Sequence, residues 1–172
     1  MGSVRLEPLR EAHLGAVAAM LSDPDVLRFT RVPDPTPADF PEQWLRTYEA
    51  GRRDGTREAF AALDGDGRFV GLALAFGIDR EEAEAELGYI VTPGARGCGL
   101  GAAILRALTD WAFAATNVER IRLVVDVENS ASLRVAERAG YVREGVKRRA
   151  YLKDGEWVDA VLFGLTEEDL DT

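Results

Sequence analysis

Residues 86–113, ELGYIVTPGARGCGLGAAILRALTDWAF, place three glycines in five positions (Gly97, Gly99 and Gly101) between a strand-like run and a helix-like one. Glycine inside a helix costs about 1 kcal/mol relative to alanine. Its concentration at the mouth of a helix therefore needs a reason. Either the turn requires backbone angles that other residues avoid, or a partner must come close to the main chain. The helical stripe Leu100, Ile104, Leu108 and Trp111 runs to about Ala115, and the β-branched stretch RIRLVVDV (120–127) follows. Strands joined through a helix pair in parallel and cross right-handedly. Residues 86–127 are thus expected to form a β–loop–α–β crossover.

The remaining chain reads as antiparallel elements around that unit. SVRLEP (3–8) alternates as a short strand, and EAHLGAVAAMLSD (11–23) repeats apolar residues at helical spacing. The proline-rich stretch FTRVPDPTPADF (29–40) predicts a loop, and PEQWLRTYEAGRR (41–53) a helix with Pro41 in its first turn. EAFAALDG (58–65) and RFVGLALAFGI (68–78) predict strands turning at Asp64-Gly65-Asp66-Gly67, and with 86–92 they make a meander. Asn129 suits the cap of a short helix stopped by Gly140, and 141–165 closes as two strands around Asp154-Gly155. The expected fold is one α/β domain over 1–172: a mixed, mostly antiparallel sheet with one parallel β–α–β crossover, flanked by helices.

With 172 residues and 47% hydrophobic content, the chain can bury one sizeable core. No apolar run approaches the roughly 18 residues of a membrane span, and the charged N-terminus has no apolar signal core. Cys98 is the only cysteine, which rules out an internal disulfide and suits a reducing compartment. A cytoplasmic protein with no membrane partner is expected. The net charge of −9 argues against nucleic-acid binding through the general surface. It favours cationic partners, or serves solubility alone.

The first N–H groups of a helix have no internal partner, and the helix dipole favours negative charge beside them. Glycines let a phosphate lie directly against those donors, and Arg96 at the loop entrance can add charge-assisted hydrogen bonds. The loop is therefore read as a phosphate or pyrophosphate cradle. A Walker loop is excluded, because Gly101 is followed by Ala102 rather than by Lys and Ser or Thr. Gly97 to Ala102 also fits the dinucleotide pattern G-x-G-x-x-A, and Asp126 ends the next strand where a ribose-binding acid would sit. That fold needs several parallel units, and this chain offers one. An NAD(P)-dependent oxidoreductase stays as the lesser alternative.

Taken in order, three motifs resemble one family. Arg96-Gly97-Cys98-Gly99-Leu100-Gly101 resembles the R/Q-x-x-G-x-G/A signature by which GNAT N-acetyltransferases bind the pyrophosphate of acetyl-CoA. Glu86-Leu87-Gly88-Tyr89 resembles that superfamily's fourth strand, and Asn129-Ser130-Ala131-Ser132 with Ala139-Gly140-Tyr141 its later N-x-x-S/A and G-F/Y motif. With 143–159 included, the chain is most similar to the RimJ/RimL branch, which acetylates protein N-termini and has relatives that modify antibiotics and small amines. The resemblance implies acetyl-CoA as co-substrate, with no metal. It implies that Arg96, Gly97, Cys98, Gly99, Leu100, Gly101 and Ala102 hold the pyrophosphate. It further implies that the main chain of Ile90 and Val91 pairs with the pantetheine arm like an added strand. Asn129 either contacts that arm or only caps its helix.

Acetyl transfer from sulfur to an amine needs a proton acceptor, a stabilised oxyanion and a leaving thiolate. Glu86 is the candidate base, on a strand face with Gly88 and Ile90, where partial burial would raise its pKa. A backbone amide near Ile90 or Val91 suits the oxyanion. Many GNAT enzymes carry a tyrosine seven residues after the motif asparagine; here that position is Ala136. The proton for the thiolate is then left to Ser132, to water or to no residue. Cys98 at a helix N-terminus invites a covalent route, but the single histidine, His13, reads as a surface or capping residue and not its base. The acceptor is expected between loop 29–41 and hairpin 148–158, with Trp44, Tyr48 and Trp157 as aromatic candidates for its wall. It would be a primary amine, small molecule or protein N-terminus. A non-catalytic acyl-CoA sensor is the other alternative, and a homodimer is left open.

Overall fold

The structure, a computed structural model, describes residues 2–172. Strand β4 (Glu84–Val91), helix α4 (Leu100–Thr116) and strand β5 (Arg120–Asp126) form the expected crossover at the centre of a seven-stranded sheet. With β1 (Arg5–Pro8), β2 (Glu58–Leu63), β3 (Phe69–Asp79), β6 (Val142–Lys153) and β7 (Glu156–Thr166), the strand order is β1-β2-β3-β4-β5-β7-β6. Among the described residues only β4 and β5 pair in parallel; every other neighbour is antiparallel.

Alternation along the central strands divides the core into two layers. On β3, Val70, Ala73 and Ala75 face one cluster, while Leu72 and Leu74 face the other. The first layer is closed by α4 and by α5 (Ser130–Arg138), whose apolar residues it contains. Ile104, Leu105 and Leu108 of α4 are wholly buried there, where truncating one leucine to alanine typically costs about 2–5 kcal/mol. The second layer is closed by α1 (Leu14–Met20), α2 (Pro24–Phe29) and α3 (Phe40–Asp54), through Val17, Met20, Val26, Leu45 and Tyr48.

Three departures from the sequence reading have local causes. The helix expected over 11–23 is a 3-10 turn, Glu11–His13, followed by α1, which ends at Met20. Pro24 then opens the separate helix α2, and the Asp23 carboxylate accepts from the Val26 amide at 3.0 Å. Asp-Pro is thus a cap and first-turn pair of a helix in a stretch the sequence reading leaves unassigned, and the loop expected over 29–40 joins α2 to α3. His13 is not a surface residue: it is 8% exposed, its Nδ1 accepts from the Arg10 amide at 3.1 Å, and its Nε2 lies 2.7 Å from Glu7. Its capping role holds. The third departure is a last helix, α6 (Glu167–Leu170), started by a box in which Asp169 accepts from the Thr166 amide and hydroxyl. No helix of the described residues is long and apolar enough to cross a membrane.

Candidate active site

The parallel pair at the sheet centre is short. β4 and β5 are in register only at Glu84–Arg120, Ala85–Ile121 and Glu86–Arg122. Yet β3 follows β4 to Val91, and β7 follows β5 to Asp126. Past Glu86 the facing edges of β4 and β5 therefore separate, each backed by its outer neighbour. The wedge opens into a cleft of about 790 Å³ walled by Leu87 to Val91 and Leu123 to Asp126. Main-chain groups on those edges are free to pair with an extended ligand.

The glycine loop closes one end of the cleft. Gly97 and Gly99 have φ of 81° and 76°, and a Cβ on either would meet only open space. These two serve the turn. Gly101 serves a close approach, because a Cβ there would lie 3.3 Å from the Tyr89 ring and 3.5 Å from Val135. Gly99 is the N-cap of α4 and offers no side-chain acceptor, so the first amides of a 17-residue helix lack a capping side chain. All but one of the predicted loop residues wall this end. The exception is Cys98, whose side chain is exposed and donates to the Arg96 carbonyl at 3.5 Å. No histidine lies there, since His13 is bound to Glu7. The Arg96 guanidinium is anchored on Asp23 at 2.9 Å and reaches Asp25 at 3.7 Å. Its pairing holds the Asp23 carboxyl below the usual carboxylate range. Further cations come from Arg134 and Arg138, four residues apart on α5. The sequence reading does not single them out, because an i, i+4 pair of arginines is ordinary on any solvated helix face.

At the wedge's closed end, Glu86 is 7% exposed. Burial pushes its carboxyl above the ordinary glutamate value, against the opposing pull of Arg31 and Arg122. Those guanidiniums stand 3.4 Å and 3.5 Å from its two oxygens. Between the two ends, Asn129 caps α5 by accepting from the Ser132 amide at 3.2 Å, and the Ser132 hydroxyl lies 3.1 Å from the Tyr89 hydroxyl. Burial raises the Tyr89 phenol. Ala136 is 1% exposed, on the buried face of α5, and brings no polar group to the cleft. The sequence reading holds Tyr89 only as part of its strand motif, because only the fold brings its hydroxyl to Ser132, 43 positions along the chain.

Loop and hairpin do flank the far side, as expected. The Lys153 ammonium bonds the Val32 carbonyl, and the Asp34 amide donates to Asp154 at 3.2 Å. Trp44 and Tyr48 wall this part of the cleft, with Phe29 and Phe40. Trp157 does not: it is 51% exposed beneath Arg149, because strand alternation turns Tyr151 to the cleft instead. Among the described residues, no group of three or more His, Cys, Asp or Glu is placed to hold a metal.

This wedge, with an uncapped helix N-terminus at one end and a buried carboxylate at the other, goes with a sequence match over residues 3–142 to the acetyltransferase (GNAT) domain. The chain belongs to the GNAT acetyltransferase family. It is an acetyl-CoA-dependent N-acetyltransferase. A putative ribosomal N-acetyltransferase, YdaF of Bacillus subtilis (strain 168), is 28% identical over 148 residues, 86% of this chain and 73% of that one. The spermidine N(1)-acetyltransferase of Escherichia coli (strain K12) is 25% identical over 159 residues, 92% of this chain and 83% of the other. Among solved structures, Mycobacterium smegmatis RimJ in complex with CoA-disulfide superposes at a TM-score of 0.88 with 26% identity, covering 98% of this chain and 84% of that one. A Vibrio cholerae spermidine N-acetyltransferase with CoA and spermine shares the fold at a TM-score of 0.85, with 19% identity and 99% of each chain covered. The single parallel pair and the family together dispose of the oxidoreductase alternative.

Proposed function

We propose that this acetyltransferase works by direct transfer within a ternary complex, with acetyl-CoA lying in the β4–β5 wedge and a primary amine approaching from the α2–α3 side. The acceptor is a small-molecule amine or a protein N-terminus. The amides of Leu100, Gly101 and Ala102, with Gly97, Gly99, Cys98 main chain and Arg96, receive the pyrophosphate. Ile90 and Val91 pair with the pantetheine arm, and Asn129 positions the start of α5 beside it. Glu86 takes the proton from the attacking amine, directly or through water, and its raised pKa suits that task. As the nitrogen bonds to the carbonyl carbon, negative charge moves to the carbonyl oxygen, which an amide at Ile90 or Val91 stabilises. The carbon–sulfur bond then breaks. Ser132 gives the thiolate its proton and is resupplied by the Tyr89 hydroxyl 3.1 Å away, which regains a proton from water entering the cleft as CoA leaves; the pair fills the role left vacant at Ala136.

The separation of β4 from β5 immediately beyond Glu86 supports this reading most, because it sets a proton acceptor at the point where an inserted thioester would end. An exposed free thiol at Cys98 suits a cytoplasmic setting. An amine-acceptor screen read by CoA release tests the proposal. It expects turnover with at least one primary amine and intersecting lines in two-substrate kinetics. Parallel lines together with an acetylated Cys98 peptide would replace direct transfer by a covalent route.

A further inference from the structure

The sheet loses its helical cover at the β6–β7 hairpin. On the side packed by α4 and α5, Val161 and Phe163 of β7 are wholly buried. Alternation puts Asp159 and Trp157 on the same side of β7, yet both are exposed. Leu152 pairs directly opposite Trp157, and Val146 opposite Val161, so both stand on that side of β6. The Val127 amide donates to the Asp159 carbonyl at 3.1 Å, which brings Val127 alongside. Val127, Val146, Leu152 and Trp157 are 40%, 56%, 54% and 51% exposed, four of the six exposed large hydrophobic side chains among the described residues. Scattered exposed hydrophobics are ordinary, but a cluster on one sheet face marks a docking surface. Its rim is cationic, in a chain of net charge −9. Arg143 lies opposite Phe163, on the same side, and Arg148 and Arg149 occupy the bulge between Lys147 and Tyr151. All three are exposed, and Arg143 and Arg148 make no ion pair among the described residues. Arg149 lies 5.9 Å from the centre of the Trp157 ring. Against these the patch sets Asp159, whose carboxylate accepts from the Arg149 amide at 2.8 Å and keeps its charge, so the cations outnumber it three to one. Glu128, beside Val127, is paired with Arg28, and Glu156 lies opposite Lys153 on the other side of the hairpin.

Helices cover the rest of this side of the sheet, so a helix is the element that would complete the layer. We infer that the face made by Val127, Val146, Leu152 and Trp157 docks an acidic amphipathic helix of another protein, with its apolar stripe on Trp157 and its carboxylates on Arg143, Arg148 and Arg149. A second copy fits less well. A two-fold contact sets three arginines and one aspartate against the same set, and cations face cations in excess. An anionic membrane plane would meet the whole molecule's negative field, whereas one helix meets only the cationic rim. The other side of the hairpin carries Tyr151 into the cleft, so the partner is held beside the active site without entering it.

The test uses three stapled helical peptides that share one leucine stripe at i, i+3, i+4 and i+7, with the remaining positions filled by glutamate, by glutamine or by lysine. Calorimetry with the CoA-loaded protein should rank them glutamate, glutamine, lysine, with at least about 10-fold between first and last and a gap that narrows as salt rises. Trp157→Ala should weaken the glutamate peptide by at least about 10-fold. Arg148→Glu should shrink the gap between the glutamate and lysine peptides. Both variants should keep wild-type acetyl-CoA affinity, since neither residue walls the cleft. Equal binding of the three peptides, binding of the glutamate peptide that is indifferent to both substitutions, or no binding at all would overturn the inference. A wild-type dimer in sedimentation that Trp157→Ala dissociates would overturn it in favour of a second copy. Trp157-dependent binding to phosphatidylserine vesicles would overturn it in favour of a membrane.

Discussion

From Val91 to Ala102 the cleft is built from main chain, whereas around Glu86 it is built from side chains delivered by α2, its following loop, α3, β4, β5 and β6. The first end depends on backbone geometry: two glycines with positive φ, a third that leaves room for Tyr89, and a helix start with no capping side chain. The second depends on a charge balance among Glu86, Arg31 and Arg122, set inside an aromatic wall. Backbone sites tolerate side-chain replacement until the backbone or its access changes. Charge-balanced sites respond to the loss of a single atom. The two ends should therefore fail in different ways.

The largest effect is expected at the loop. Gly99→Glu puts a carboxylate where the free amides of α4 await an anion, so acetyl-CoA affinity should fall by more than about 100-fold, given about 1.5–3 kcal/mol for each charge-assisted bond removed. The fold should survive, because a side chain at Gly99 meets open space and costs only the strain of a positive φ, about 1–3 kcal/mol. Near-normal affinity in a folded Gly99→Glu protein would remove the cradle. At the other end, Glu86→Gln should leave acetyl-CoA affinity intact and lower turnover by about 10²–10⁴-fold. If both variants lost affinity together, the division of the cleft would collapse.

Smaller effects should map the region between the ends. Tyr89→Phe and Ser132→Ala should each lower kcat about 10-fold or less, and the double variant little more than either, because in the proposed relay the two hydroxyls, 3.1 Å apart, serve as one donor. Gly101→Ala should imitate Tyr89→Phe while leaving affinity nearly unchanged, since its methyl would press on the Tyr89 ring. Additive losses would mean that the two hydroxyls work separately.

The contrast also decides what the sequence alone could show. Backbone sites leave a local trace. Gly97, Gly99 and Gly101 are adjacent in the chain, and their setting between a strand and a helix was readable, as was the crossover that frames them. Glu86 was readable because its strand partners fixed its face. Arg31, Arg57 and Tyr151 are separated by 26 and 94 positions, and their convergence follows from tertiary packing that no local pattern encodes. Trp157 shows the converse error, since it is one of three tryptophans yet alternation along β7 sends it to solvent. The helix opened by Asp23-Pro24 was missed because its six residues are too few to show a helical period between the expected helix over 11–23 and the loop over 29–40.

The smallest effect concerns stability. Because the folded Glu86 carboxyl titrates above its ordinary value, the native state binds more protons than the unfolded chain between the two values. Wild-type stability should therefore decline as pH rises through that window, and no such penalty exists below the ordinary value. Glu86→Gln lacks the ionisation. Relative to wild type, its urea midpoint should be higher near about pH 7 than near about pH 4. A constant difference across that range would mean that Glu86 titrates alike in both states.

The most direct test of the division between a backbone-built cofactor end and a charge-balanced catalytic end is the pH dependence of kcat/KM for the amine at saturating acetyl-CoA. On the proposed mechanism, both the amine and Glu86 are deprotonated for transfer. In the wild type, activity should fall with one-proton dependence as pH drops below the amine's pKa. It should steepen to two-proton dependence at a pH above the ordinary glutamate value, where Glu86 gains its proton. Glu86→Gln should lose the steepening and keep the amine's limb, at the same acetyl-CoA affinity. Superimposable profiles for the two proteins, differing at most by a constant factor, would contradict a proton-accepting role for Glu86.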